Sequence, residues 1–191
     1  MRRLCETIIH DEAQAPPHAL GTCSAYLVEN NILNDLVSLC LPDEPLGILN
    51  EFLRMCTTLV LHIHVPWFLA NEGVAHALLQ LLRSCNKKQQ KPPGLVELVY
   101  ALCARIHQQP DTLRVLVQLG AQLPKERPAD RFPLMTCIVR HITMDGPSGR
   151  HMRTSLVWVM HALLTLGINH RAAWPALYFD QATCSDLAKS L

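Results

Sequence analysis

The sequence predicts an all-α protein, an irregular array of about nine or ten helices. Leucine-rich segments repeat their apolar residues at three- and four-residue spacing through most of the 191 residues, and no sustained alternating run marks a strand. The stretch from Pro45 to Cys85 joins a helix that is apolar on several faces to a second amphipathic helix. A helix with so wide an apolar surface must be covered on several sides, so it is central. With 49% hydrophobic residues the chain can bury a substantial core.

Residues 1–18 form an N-terminal segment, with a short helix over 4–13 and an irregular link at Ala15, Pro16, Pro17 and His18. Residues 19–191 read as one helical domain. Its first two pieces, AYLVEN and NILNDLVSLCL, are separated at Asn30–Asn31, because asparagine tolerates left-handed and capping geometry. Ile32, Leu33, Leu36, Val37, Leu39 and Cys40 are the expected buried stripe. Pro42 to Pro45 is a turn, with Pro45 in the first turn of the central helix.

In the central helix Leu49, Phe52, Leu53, Cys56, Val60 and Ile63 share the main buried face, while Ile48, Met55, Leu59 and Leu61 fill the sides. Pro66 ends it. Asn71 caps the next helix, which carries Val74, Leu78, Leu79, Leu81 and Leu82. The run NKKQQKPPG is a basic, solvated loop.

Leu95, Leu98, Val99, Leu102 and Ile106 face the core from the following helix. Pro110 and Asp111 open another, ended by Gly120, and a proline-rich link runs from Leu123 to Pro133. Pro133 to Met144 forms a helix burying Leu134, Ile138, Val139 and Ile142. After a turn at residues 145–149, a long helix from Arg150 to Leu166 carries Leu156, Val157, Val159, Met160, Leu163 and Leu164, and Gly167 closes it. Trp174, Leu177, Tyr178 and Phe179 mark a short helix, and TCSDLAKSL begins one more. Without a strict repeat, this is an irregular α-solenoid of the armadillo or HEAT type rather than a four-helix bundle.

Chemistry-bearing patterns are few. A net charge of +1 and 5% aromatic residues supply neither the field nor the stacking platforms of a nucleic-acid binder. The most apolar stretch, residues 46–68, is interrupted by Asn50, Glu51, Arg54, His62 and His64, so no membrane span is expected. The N-terminus lacks the apolar core of a secretory signal, which implies a cytoplasmic chain.

The eight cysteines contain no CxxC pair and fall about one to a helix, as buried small hydrophobes rather than zinc ligands or disulfides. His62 and His64 point apart on a helix, while His107, His141, His151 and His161 are expected to sit alone on separate helices. GPSG around Ser148 fails the GxSxG pattern, and neither a phosphate loop nor a paired-carboxylate motif occurs. We therefore expect no catalytic, cofactor or metal residues and no enzymatic activity.

Four stretches in order resemble the FTS- and Hook-interacting protein family, once described as retinoic-acid-induced-protein-like. They are SAYLVENNILNDLVSL, the run from Gly47 to Cys85, LVELVYALCARIHQQPDTLRVLV, and DGPSGRHMR with Asp145, Gly146, Gly149 and Arg153. The resemblance spans about Ser24 to Leu166 and implies a non-enzymatic adaptor or scaffold. It implies FTS-like and Hook-like protein partners that link a dynein adaptor to vesicle or endosome cargo, with membrane association only through those partners. Family members are several hundred residues long, so the chain corresponds to a fragment or shortened member of a longer solenoid.

Asp145, Arg150, Arg153, Trp174, Tyr178 and Phe179 are the candidate partner contacts. Two other classes compete. A generic armadillo-like interaction module outside the family would show a continuous concave groove lined by Asn, Trp or Arg. A helical enzyme would need a closed pocket with convergent polar groups.

Overall fold

A computed structural model describes residues 1–16, 18–88, 92–122 and 132–169. Among them are nine α-helices and no strand: α1 (Arg2–Gln14), α2 (Thr22–Glu29), α3 (Ile32–Cys40), α4 (Ile48–His62), α5 (Glu72–Lys87), α6 (Gly94–Gln108), α7 (Asp111–Gln122), α8 (Pro133–His141) and α9 (Gly146–Asn169). The expected helices at 174–179 and 183–191, residues 89–91 of the basic loop and most of the 123–133 link lie outside the described residues.

Helices adjacent in space are mostly not adjacent in sequence. α4 packs chiefly on α6 and α1, and α6 packs most extensively on α9, giving one row in the order α1, α4, α6, α9. α3, α5, α7 and α8 form the second row, with α5 touching the other three. Two layers of helices around one core are the expected solenoid arrangement. The core lies between the rows and is densest along α4 and α6, where Phe52, Leu53, Leu95, Leu98 and Val99 are fully buried.

Polar side chains tie neighbouring helices by bonding backbone groups near helix ends. Asp11 Oδ2 accepts from Cys23 N at 2.7 Å and Glu12 Oε1 from Gly21 N at 2.8 Å, so α1 caps α2. Asn50 of α4 accepts from Gly94 N at 2.9 Å, at the start of α6. Asn34 of α3 donates to the Gly73 carbonyl of α5 at 3.1 Å. Asn86 of α5 donates to the Pro133 carbonyl at 2.8 Å, and Arg140 of α8 donates to the Asn86 carbonyl at 2.7 Å.

Several local expectations hold. Asn31 is left-handed at φ 52°, and Asn71 caps α5 by accepting from Val74 N at 3.2 Å. Others are corrected. Pro45 lies outside α4, whose start is set by Asp43: its carboxylate accepts from Gly47 N and Leu49 N, each at 3.0 Å. α4 also stops before Pro66. Ile63 turns extended (φ −84°, ψ 101°), and its carbonyl is taken by Arg105 Nη2 at 3.1 Å.

Gly120 and Gly167 do not end their helices, because α7 continues to Gln122 and α9 to Asn169. α8 stops at His141 rather than Met144, and α9 begins at Gly146, four residues before the expected start. Leu39 and Leu61 are exposed, not buried, since the helices that cover α3 and α4 lie on their other sides.

Candidate functional site

The sequence-singled DGPSGRHMR stretch forms the α8–α9 corner. Gly146 opens α9 at φ 74°, a left-handed conformation that costs an L-residue energy. Gly149 is buried so closely against the Met144 carbonyl that a Cβ there would collide with it. Arg153 folds back one turn later, and its Nη1 donates to the Ile142 carbonyl at 3.0 Å. Three of the four motif residues therefore set the angle between α8 and α9. Of the two partners open to Arg153, Asp145 and a preceding carbonyl, the carbonyl is the one it takes.

Asp145 and Arg150 are exposed, and among the described residues neither has an ion-pair partner. Trp174, Tyr178 and Phe179 lie outside the described residues. The corner thus presents one carboxylate and one guanidinium to solvent on a rigid turn.

Beside this corner lies a feature that sequence reasoning missed. His151 of α9 stacks on Tyr100 of α6 at 4.3 Å between ring centroids, and Tyr100 meets Trp158 at 5.1 Å. Trp158 stacks with His107 at 5.7 Å, and His107 meets His161 edge-on at 5.2 Å. Residue numbers rise together on both helices along this ladder, so α6 and α9 run parallel. Three of the four histidines expected to sit alone, His107, His151 and His161, are thus joined, and His151 and His161 share one helix, whereas His141 sits apart on α8. Tyr100 and His107, like His151 and Trp158, are seven apart and share a helix face. That spacing is visible in the sequence, but which two helices meet is not.

The outer side of α9 is also unlike an ordinary surface helix. Val157, Met160 and Leu164 are 65%, 38% and 63% exposed, although all three were expected among the helix's apolar contacts. With Arg150 and Arg153 they recur at alternating three- and four-residue spacing, which puts all five on one stripe. The stripe is cationic in its first half and apolar in its second.

At the α4–α5 corner Arg105 is 4% exposed and reaches His64 Nδ1 at 3.0 Å as well as the Ile63 carbonyl. A guanidinium only donates, so Nδ1 is the acceptor. Burial lowers the Arg105 pKa from its ordinary value. His64 and His62 also line an open groove of about 580 Å³ with His18, Glu12 and Pro66.

Six of the seven described cysteines are buried and Cys23 is half-buried, as small hydrophobes would be. Among the described residues no three His, Cys, Asp or Glu side chains are grouped to hold a metal ion. Nor, among them, is any helix long and apolar enough to cross a membrane.

Residues 23–169, from α2 through α9, match the model of the RAI16-like family, described as retinoic acid induced 16-like protein. The chain belongs to this family. Comparison with curated proteins finds no match. The RAI16-like region includes the α8–α9 corner, the aromatic ladder and the α9 stripe, but stops short of Trp174, Tyr178 and Phe179.

Proposed function

We propose that this RAI16-like chain is a non-enzymatic scaffold that binds FTS-like and Hook-like proteins and so links a dynein adaptor to vesicle or endosome cargo. It would act in the cytoplasm and meet membranes only through those partners. The observation that carries this reading is the family match over residues 23–169 of a helical array. The exposed stripe of α9 supports it. The stripe offers two cationic and three apolar side chains at coiled-coil spacing, which suits a partner helix better than a small molecule. Asp145 and Arg150 at the adjoining corner would set orientation, as rim charges do.

The test is reconstitution. Purified chain is mixed with purified FTS-like and Hook-like proteins and run on a sizing column, alongside an Arg150→Glu variant. Arg150 is exposed, so the variant folds normally. Co-elution that Arg150→Glu weakens supports the reading. Separate elution at concentrations well above those of ordinary regulatory complexes overturns it.

A further inference from the structure

The ten histidines of the chain differ in what their ring nitrogens do. His10, His64, His76 and His141 each hold a ring nitrogen within 3.2 Å of a protein hydrogen-bond partner. His107 of α6 and His161 of α9 are exposed, and among the described residues neither makes a hydrogen bond or ion pair. Their rings lie 5.2 Å apart between centroids. We propose that these two imidazoles bind one divalent transition-metal ion of the Zn²⁺ class, which clips α6 to α9 at the end of the aromatic ladder. The inference goes beyond the scaffold reading and does not rest on it.

The separation of the rings carries the argument. A neutral imidazole keeps one in-plane lone pair, and zinc binds it at about 2.0–2.1 Å. Two rings held tetrahedrally by one ion therefore stand about 5 Å apart between centres, which is the separation already present. The rings meet edge-on, with planes 67° apart. A turn about χ2, a soft torsion in histidine, brings one nitrogen of each to a common point. The two ligands also stand on firm ground, because α6 and α9 pack on one another more extensively than any other helix pair. Trp158 stacks on His107 at 5.7 Å and limits where that ring can go.

Charge at the pair favours a cation. From Thr154 to Asn169 α9 carries no Asp, Glu, Lys or Arg. On α6 the cation nearest His107 in sequence is Arg105, which is buried and turned to the Ile63 carbonyl. Asp111 and Arg114, at the start of α7, offset each other at 3.7 Å. No exposed fixed cation of these segments therefore opposes a divalent ion beside the pair. Two protein ligands leave the other positions to water, so the site is open, unlike a closed structural zinc centre. Imidazole ligands select Zn²⁺, Ni²⁺ or Cu²⁺ over Mg²⁺ and Ca²⁺.

The test uses the full chain and the metal alone. Zn²⁺ binding is followed by calorimetry, and Ni²⁺, whose open d shell quenches a nearby indole, by tryptophan emission. The parent should bind one ion, and Ni²⁺ should quench an emission that Trp158→Phe removes. His107→Ala and His161→Ala, both at exposed positions, should each weaken binding on the order of tenfold or more, since loss of a ligand costs at least as much as loss of a group that supports one. Their helical circular dichroism should match the parent's. His10→Ala and His62→Ala, also exposed, should bind as the parent does. No binding at submillimolar ion, binding that either substitution in the pair leaves intact, or an equal loss in His10→Ala or His62→Ala overturns the proposal. Ni²⁺ that binds without quenching Trp158 overturns it as well, because the ion is then elsewhere.

Discussion

Gly146 and Gly149 read from the sequence as turn glycines, and the structure gives the physical reason: Gly146 is left-handed and the Met144 carbonyl lies against Gly149. Gly146→Ala, forced to keep φ 74°, should cost about 1–2 kcal/mol. Gly149→Ala should cost more, because backbone rather than a flexible side chain must give way. Urea melts that rank them in the opposite order would mean the corner relaxes freely. The burial of the described cysteines was legible, since single thiols in apolar helices pack as small hydrophobes. Burial pushes the Cys103 thiol up to about 12 and raises Cys56 as well. An unfolded thiol loses its proton near pH 9, so the folded chain holds protons that the unfolded chain has released. The contribution to stability is therefore whole below about pH 9 and falls as pH rises toward about 12. Cys103→Ala should flatten that alkaline decline in a series of denaturant melts, whatever its effect at neutral pH. A decline as steep as the parent's would assign it to other groups.

Among elements, the buried face of α4 was legible because apolar residues cover several of its sides. Leu49, Phe52, Leu53, Cys56, Val60 and Ile63 are all buried, and Phe52 is fully so. Phe52→Ala should cost roughly 3–5 kcal/mol. Against a typical domain stability of about 5–15 kcal/mol the variant would be marginal. A melting temperature close to the parent's would show that α4 is not central. Helix ends were read less well, and the reason is physical. Local rules placed the stops at Pro66, Gly120 and Gly167, yet Arg105, forty-two residues away in sequence, holds the Ile63 carbonyl where α4 ends. Asp43 starts α4 after the proline that was expected to do so, a local cap four and six residues from the groups it bonds. Groups that arrive from another part of the fold overrule the local signal, and nothing in a single sequence shows them arriving. The same blindness hid the ladder of Tyr100, His107, His151, Trp158 and His161, whose two halves meet only because α6 packs beside α9.

For the whole molecule the array class follows from periodicity, but the order within it does not, because every amphipathic helix offers the same kind of face to every other. The packing puts α4 and α6 between neighbours in their row, α4 between α1 and α6, and α6 between α4 and α9. Among the described residues α1 packs within its row chiefly on α4, and its outer side carries Arg2, Arg3, Glu6, Thr7 and His10 in solvent. In an array each helix is stabilised chiefly by its nearest neighbours, so local opening should be easiest where a neighbour is missing on one side. Native-state hydrogen exchange should therefore be slowest in α4 and α6 and markedly faster in α1. α9, whose outer side leaves Val157, Met160 and Leu164 exposed, should exchange faster than α6. Uniform exchange across α1, α4, α6 and α9 would mean that the chain opens as one cooperative unit and that the row order has no energetic consequence.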